Sequence, residues 1–203
     1  MGFNRIAVKQ QAKINFKANY WPAVGWTFLA GLILAACGVA DRIFFGVVSL
    51  IVGSVVSAGL GWFSLKIYRG EAVDGGSDLF VGFRNFGHVL GGMLWMDLFT
   101  FLWSLLFVIP GIIKAISYSM TPYILIDQPE IGAQEALKLS MKMTTGHKGD
   151  IFVMYLSWFG WMLLTVLTSG ILGIFYTVPY MDVSLAGVYE ELKKNIQKES
   201  ATA

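Results

Sequence analysis

WPAVGWTFLAGLILAACGVA, residues 21–40, and IFFGVVSLIVGSVVSAGLGWFSL, residues 43–65, contain no charged side chain and are separated only by Asp41 and Arg42. At 1.5 Å per helical residue, about 20 apolar residues match the roughly 30 Å hydrocarbon core of a bilayer. A helix satisfies its own backbone polar groups there, which an open strand cannot do. The two runs therefore predict a tight hairpin of membrane-spanning helices. A β-barrel would need short segments alternating between apolar and polar, and these runs are continuous.

Working outward, residues 89–109 form a third apolar run, which Pro110-Gly111 is expected to break. Residues 112–126 form a shorter fourth run, interrupted by Lys114 and Pro122, that is either kinked or re-entrant. Residues 151–167 and 171–188 make a last hairpin across Thr168, Ser169 and Gly170. The expected architecture is an all-α, polytopic membrane helix bundle of about six spans in one domain, with a charged tail over 190–203. Composition agrees: 56% of the 203 residues are hydrophobic and 14% charged, with a mean hydropathy of +0.63, against roughly 25% charged residues in soluble domains.

Lys and Arg are retained on the cytoplasmic side of short loops. All of the 15 Lys and Arg residues except Arg42 and Lys114 fall before span one, between spans two and three, between four and five, or after six. That distribution predicts both termini on the cytoplasmic side. A polar or amphipathic stretch also precedes each pair of spans, at Asn4 to Asn19, Ser77 to Phe86 and Ala133 to Gly146, and each is expected at the inner surface. The net charge of +2 gives no reason to expect a nucleic-acid partner. Leu34-Ala35-Ala36-Cys37 formally matches a lipoprotein cleavage box, but an apolar run rather than a polar tether follows it, so Cys37 is expected to pack inside span one.

Several short motifs carry a resemblance. Pro110-Gly111-Ile112-Ile113-Lys114 and Ser117-Tyr118-Ser119-Met120 are followed by Ala136-Leu137-Lys138-Leu139-Ser140 and Gly146-His147-Lys148. With Gly61-Trp62-Phe63-Ser64-Leu65, Asp78-Leu79-Phe80-Val81-Gly82-Phe83 and Tyr189-Glu190-Glu191-Leu192, this pattern resembles the bacterial domain-of-unknown-function 975 family along essentially the whole chain. The central Pro-Gly segment is also similar to the membrane domain attached to some glycerophosphoryl diester phosphodiesterases. The resemblance implies a multi-span fold in a bacterial cell membrane, and it implies no reaction.

No HExxH helix, GxxxxGK loop or CxxC pair is present, so no catalytic residue, metal or cofactor is expected. His88 and His147 read as surface residues at span ends. Acids within spans are expensive and face protein or water. Asp97 and Asp182 fall at similar depths and are read either as a proton- or cation-binding pair, or as a buried structural pair. Lys114 is expected to snorkel outward or to reach an acid. Pro110 and Pro179 are candidate kinks. Gly53, Ser57 and Gly61, with Gly87 and Gly91, are candidate close-packing positions. Trp21, Trp62, Trp158 and Tyr189 suit the headgroup region. Arg5, Lys9, Lys13 and Lys17 form a basic stripe on an interfacial helix, a candidate contact for anionic lipid. The expected partners are membrane lipids and a membrane protein. The functions weighed are a non-enzymatic adaptor, immunity or regulatory component of an envelope complex, or a carrier or channel for a small or lipid-like molecule using Asp97 and Asp182.

Overall fold

The chain is described by a computed structural model over residues 3–202, apart from 45, 75 and 107, and no strand occurs among the described residues. Helix α1 spans Arg5–Ala18 and α2 Tyr20–Phe44; a π-helical turn, Ser49–Gly53, leads into α3, Ser54–Arg69. The short α4, Gly76–Leu79, and a 3-10 turn at Val81–Phe83 precede α5, Phe86–Leu106, α6, Val108–Tyr118, and α7, Thr121–Asp127. Helix α8 covers Ala133–Thr144, α9 Lys148–Ser157 and α10 Phe159–Leu167; a second π-helical turn, Gly173–Thr177, opens α11, Val178–Thr202. Each polar stretch thus folds as one or two short helices followed by a long helical hairpin, and the unit occurs three times.

Among the described residues, five helical segments are long and apolar enough to cross a membrane: Tyr20–Ile43, Ser49–Arg69, Phe86–Leu105, Ile109–Asp127 and Lys148–Leu167. The fourth qualifies although it bends between α6 and α7. Residues 171–188 are not among the five. They lie on the π-helical turn and the first half of α11, a helix that carries Asp182 and runs straight into the charged tail. This helix packs against α1, α2, α3 and α8. The packing covers Val183, Ala186, Val188 and Tyr189, while Ile171, Ile174, Phe175 and Val178 stay exposed.

Local chemistry sets the turns. Asn4 caps α1, its Oδ1 accepting from the N–H groups of Ile6 and Ala7 at 3.1 Å each. The Asp41 carboxylate accepts from the N–H groups of Val48 at 2.9 Å and Ser49 at 3.2 Å, closing the first hairpin. Gly70 ends α3 with φ 73, a left-handed conformation that glycine adopts without a Cβ penalty. The break between α6 and α7, where Pro122 supplies no N–H, is bridged by Ser140 of α8. Its Oγ accepts from Met120 N–H at 3.2 Å and donates to the Ser117 carbonyl at 2.7 Å.

The core lies where α3, α7, α8 and α11 converge, around Phe63, Leu65, Ile124, Met143, Val183 and Ala186. At the hairpin tips, by contrast, Leu105, Ile109, Val166 and Leu167 are each more than 70% exposed. Cys37 is buried, as expected. Two aromatic assignments change: Trp158 and Tyr189 are 1% and 0% exposed. Trp158 sits at the bend between α9 and α10, and Tyr189 is held inside the bundle. Gly53 and Gly61 do pack closely, against Leu34 and Tyr123, whereas Gly87 and Gly91 face open space. The tightest approach is at Gly59, where a Cβ would collide with the Leu79 carbonyl of α4. His88 and His147 are half-buried, and Nε2 of the first and Nδ1 of the second are shielded without a partner among the described residues.

Candidate functional site

The ends of α3, α7 and the middle of α11 meet in one ionic network. Arg69 donates through Nη2 to Asp127 Oδ1 at 2.9 Å and through Nε to Glu190 Oε1 at 2.6 Å. Asp127 Oδ2 also accepts from Tyr189 Oη at 2.7 Å and Lys193 Nζ at 2.5 Å. The Arg69 guanidinium stands 5.6 Å from the centre of the Trp62 ring. Burial, together with the hydrogen bond to Asp127, pushes the Tyr189 phenol well above its ordinary pKa. These residues come from the ends of the second and fourth hairpin legs and from beyond the sixth, so all three even-numbered legs finish on one side. A few residues along α3, Lys66 holds Asp78 at 2.8 Å and so ties the following loop back to the helix.

Beside this network, α1 and α11 enclose a polar groove of about 530 Å³. Asn4, Gln11 and Asn15 line it from α1, Tyr68 and Arg69 from α3, and Glu190, Glu191 and Lys194 from α11. Helix α1 runs lengthwise along its neighbours rather than lying apart from them. Val8, Ala12 and Phe16 are buried, and the Phe16 ring lies 5.8 Å from that of Tyr176. The basic stripe is consequently split. Arg5 pairs with Asp150 at 3.6 Å, and Lys9 donates to Ser157 Oγ with its ammonium 5.5 Å from the centre of the Trp158 ring. Burial, and then the nearby Arg5 charge, lower the Lys9 pKa. Lys13 and Lys17 alone face outward, alongside the exposed Ile6, Ile14 and Trp21.

Asp97 and Asp182 are not brought together. Asp97 lies half-buried on α5, whose main contacts are with α3, α6, α7 and α8. Asp182 lies on α11, which packs mainly against α3 and α1, and among the described residues no hydrogen bond or ion pair joins the two acids. Similar depth along the chain does not fix which way a helix turns, and α3 takes the position against α11 that a facing pair would need. Asp182 instead lies within electrostatic reach of Tyr123 and Tyr155. Its Oδ2 is buried without a hydrogen-bond partner among the described residues.

The expected break at Pro110-Gly111 falls earlier: α5 ends at Leu106 and α6 begins at Val108, with residue 107 outside the described set. Pro110 sits in the first turn of α6, where its missing N–H leaves no intrahelical bond unmade. Gly111 allows Ser104 of α5 to approach, since a Cβ there would lie 2.6 Å from the Ser104 Oγ. Pro179 follows the π-helical turn directly, and α11 continues through it. Lys114 reaches neither an acid nor the hairpin tip. Its ammonium lies 4.8 Å from the Trp103 ring centre, 5.8 Å from that of Tyr118 and 3.9 Å from Met141 Sδ. Three soft, electron-rich neighbours surround the ammonium, with no carboxylate paired to it among the described residues.

Residues 105–196 match the family model for Protein of unknown function (DUF975). The DUF975 match takes in the bridged bend, Asp127, Asp182 and the first turns of the charged tail, and it leaves α1 to α4 and nearly all of α5 outside. It is thus narrower than the whole-chain likeness read from the motifs. No curated protein and no solved structure matches the chain.

Proposed function

We propose that the chain is a non-enzymatic, multi-pass protein of the bacterial cytoplasmic membrane that docks a partner protein on its inner face, as an adaptor, immunity or regulatory component of an envelope complex. In this reading residues 171–188 form a sixth span and both termini are cytoplasmic. The whole chain would then be DUF975-like, with its Pro-Gly segment akin to the phosphodiesterase-associated membrane domain. Exposed apolar side chains on the hairpins support the membrane assignment, because a surface of that kind in water marks an interaction or membrane site.

The groove between α1 and α11 carries the docking part of the proposal. It offers amide, carboxylate and ammonium groups in one concave surface, and it stands beside a network that holds its walls in place. A polar segment of a partner protein would find both donors and acceptors there. A photo-reactive residue introduced at Gln11 in native membranes is expected to give one discrete protein adduct, absent when the same residue replaces Phe101 on the exposed apolar face. Adducts with lipid alone, or a smear identical at both positions, would remove the docking reading. A carrier that uses Asp97 and Asp182 as a couple has less support, since the two acids sit apart.

A further inference from the structure

A hollow of about 300 Å³ opens between α2 and the π-helical turn that leads into α11. Thr27, Phe28, Gly31 and Leu32 line it from α2, and Ile174 and Val178 from the other side. Phe28, Leu32, Ile174 and Val178 are all exposed, so the hollow faces outward and not into the core. Gly31 keeps it open, because a Cβ there would meet nothing within 4 Å. Thr27 is the one polar side chain of the lining, and it is itself buried. Such a lining offers hydrocarbon and no charge, which fits an alkyl chain.

Charge lies on the same helical face, nearer the start of the chain. Backbone hydrogen bonds run through the joint between α1 and α2, with Asn19 N–H donating to the Asn15 carbonyl at 3.1 Å and Ala23 N–H to that of Asn19 at 2.9 Å. At 3.6 residues per turn, Lys17, Trp21, Phe28 and Leu32 therefore fall within about 60° of one another, and Phe28 lies about 16 Å beyond Lys17. One leaflet of the hydrocarbon core is about 15 Å deep. With Lys17 and the exposed Trp21 at the headgroups, the hollow stands among the acyl chains. Lys13 and Lys17 are exposed and have no hydrogen-bond or ion-pair partner among the described residues, and the first 40 residues contain no Asp or Glu.

We infer that this stripe binds one anionic phospholipid, with its phosphate held by Lys13 and Lys17, its glycerol region against Trp21, and one acyl chain laid into the hollow between α2 and the π-helical turn. Charge complementarity selects the occupant. An apolar helix of a partner protein would fill the hollow but leave both ammonium groups without a counter-charge, whereas an anionic lipid satisfies both ends at once. The hollow gives that lipid a fixed place, which lysines on an open surface would not. This inference rests on the membrane assignment and not on the docking reading, whose groove lies between α1 and α11 around Glu190.

The test reconstitutes the full-length protein with phosphatidylglycerol or phosphatidylcholine carrying a diazirine midway along one acyl chain, and locates the adducts by mass spectrometry. The phosphatidylglycerol probe is expected to label the segments around Phe28 to Leu32 and Ile174 to Val178, exceeding the phosphatidylcholine probe by about tenfold or more. Lys13→Gln with Lys17→Gln should abolish that excess. Gly31→Leu, whose side chain grows into open space, should cut the adducts in the hollow several-fold with both lysines in place, while Gly91→Leu, in open space on α5, leaves them as they were. A thermal unfolding midpoint at the wild-type value in each variant separates loss of the site from loss of the fold. The Gln11 adduct should persist in Gly31→Leu, so failure here and failure of the docking reading are distinct. Adducts equally frequent with both probes, spread evenly over exposed faces such as Phe101 and Leu163, or unmoved by Gly31→Leu would overturn the inference, as would a protein adduct in place of lipid at Phe28.

Discussion

Ser140 shows how much one hydroxyl can organise. It is fully buried, and it both accepts from Met120 N–H and donates to the Ser117 carbonyl, the two backbone groups stranded by the bend between α6 and α7. Thr144, also fully buried, donates to the Ser140 carbonyl at 2.9 Å. Leaving a buried backbone group unpaired costs about 1–3 kcal/mol. Ser140→Ala is therefore expected to destabilise the protein by about that amount, read as a lower midpoint of thermal unfolding in detergent, whereas Ser119→Ala, whose hydroxyl donates to the Ile116 carbonyl three residues back, should change it little. A midpoint for Ser140→Ala equal to wild type would mean that water can replace the bridge. Sequence reading found Ser140 only as a letter in a familiar motif. Its task depends on α8 folding back against a bend 20 residues earlier, a contact that no local pattern encodes. Lys114 failed for the same reason, because its aromatic neighbour Trp103 comes from another helix.

At the scale of elements, periodicity was readable where one face of a helix meets one environment. The three polar stretches became α1, α4 with its 3-10 turn, and α8, and the apolar runs became helical, with 112–126 and 151–167 each divided by a bend. What periodicity could not distinguish was protein from lipid as the neighbour of a basic side chain. Arg5, Lys9, Lys13 and Lys17 look equivalent at a spacing of four, yet each step of four residues rotates by about 40°, and that drift is enough to divide them. Arg5 and Lys9 turn to Asp150 and Ser157, while Lys13 and Lys17 stay outward beside Ile6, Ile14 and Trp21. Anionic headgroups contribute about 1 kcal/mol per exposed basic residue. Lys13→Gln with Lys17→Gln is expected to cut retention of anionic over zwitterionic phospholipid by about tenfold or more, measured by native mass spectrometry of lipid-bound protein. Arg5→Gln should leave that ratio nearly unchanged and instead loosen α1 from α9. An equal loss from both would show that the stripe acts as one surface after all.

For the whole molecule, the decisive constraint is that Arg69, Asp127 and Glu190 meet. A helix pair joined by a tight turn must return to the level from which it started, so three residues that end the second, fourth and sixth legs can touch only if every hairpin closes. The ionic network thereby ties the three repeated units together at one end, while Leu105, Ile109, Val166 and Leu167 at the other end stay exposed. It also bears on residues 171–188, which length and hydropathy alone do not single out as a span. If α10 and α11 form a third hairpin through the bilayer like the first two, Ser169 and Lys198 lie on opposite sides. The single native cysteine, Cys37, is buried, so a Cys37→Ala background permits labelling of introduced thiols. In intact cells a membrane-impermeant maleimide is expected to label Arg42→Cys and Ser169→Cys, and to reach Glu130→Cys and Lys198→Cys only after permeabilisation. Labelling of Ser169 and Lys198 from the same side would place α11 outside the set of spans. Labelling of Glu130 and Lys198 in intact cells, with Arg42 and Ser169 protected, would keep the fold and invert its orientation. The basic residues argue against inversion, because nearly all of them, Lys193 and Lys194 included, belong to the end where the network forms.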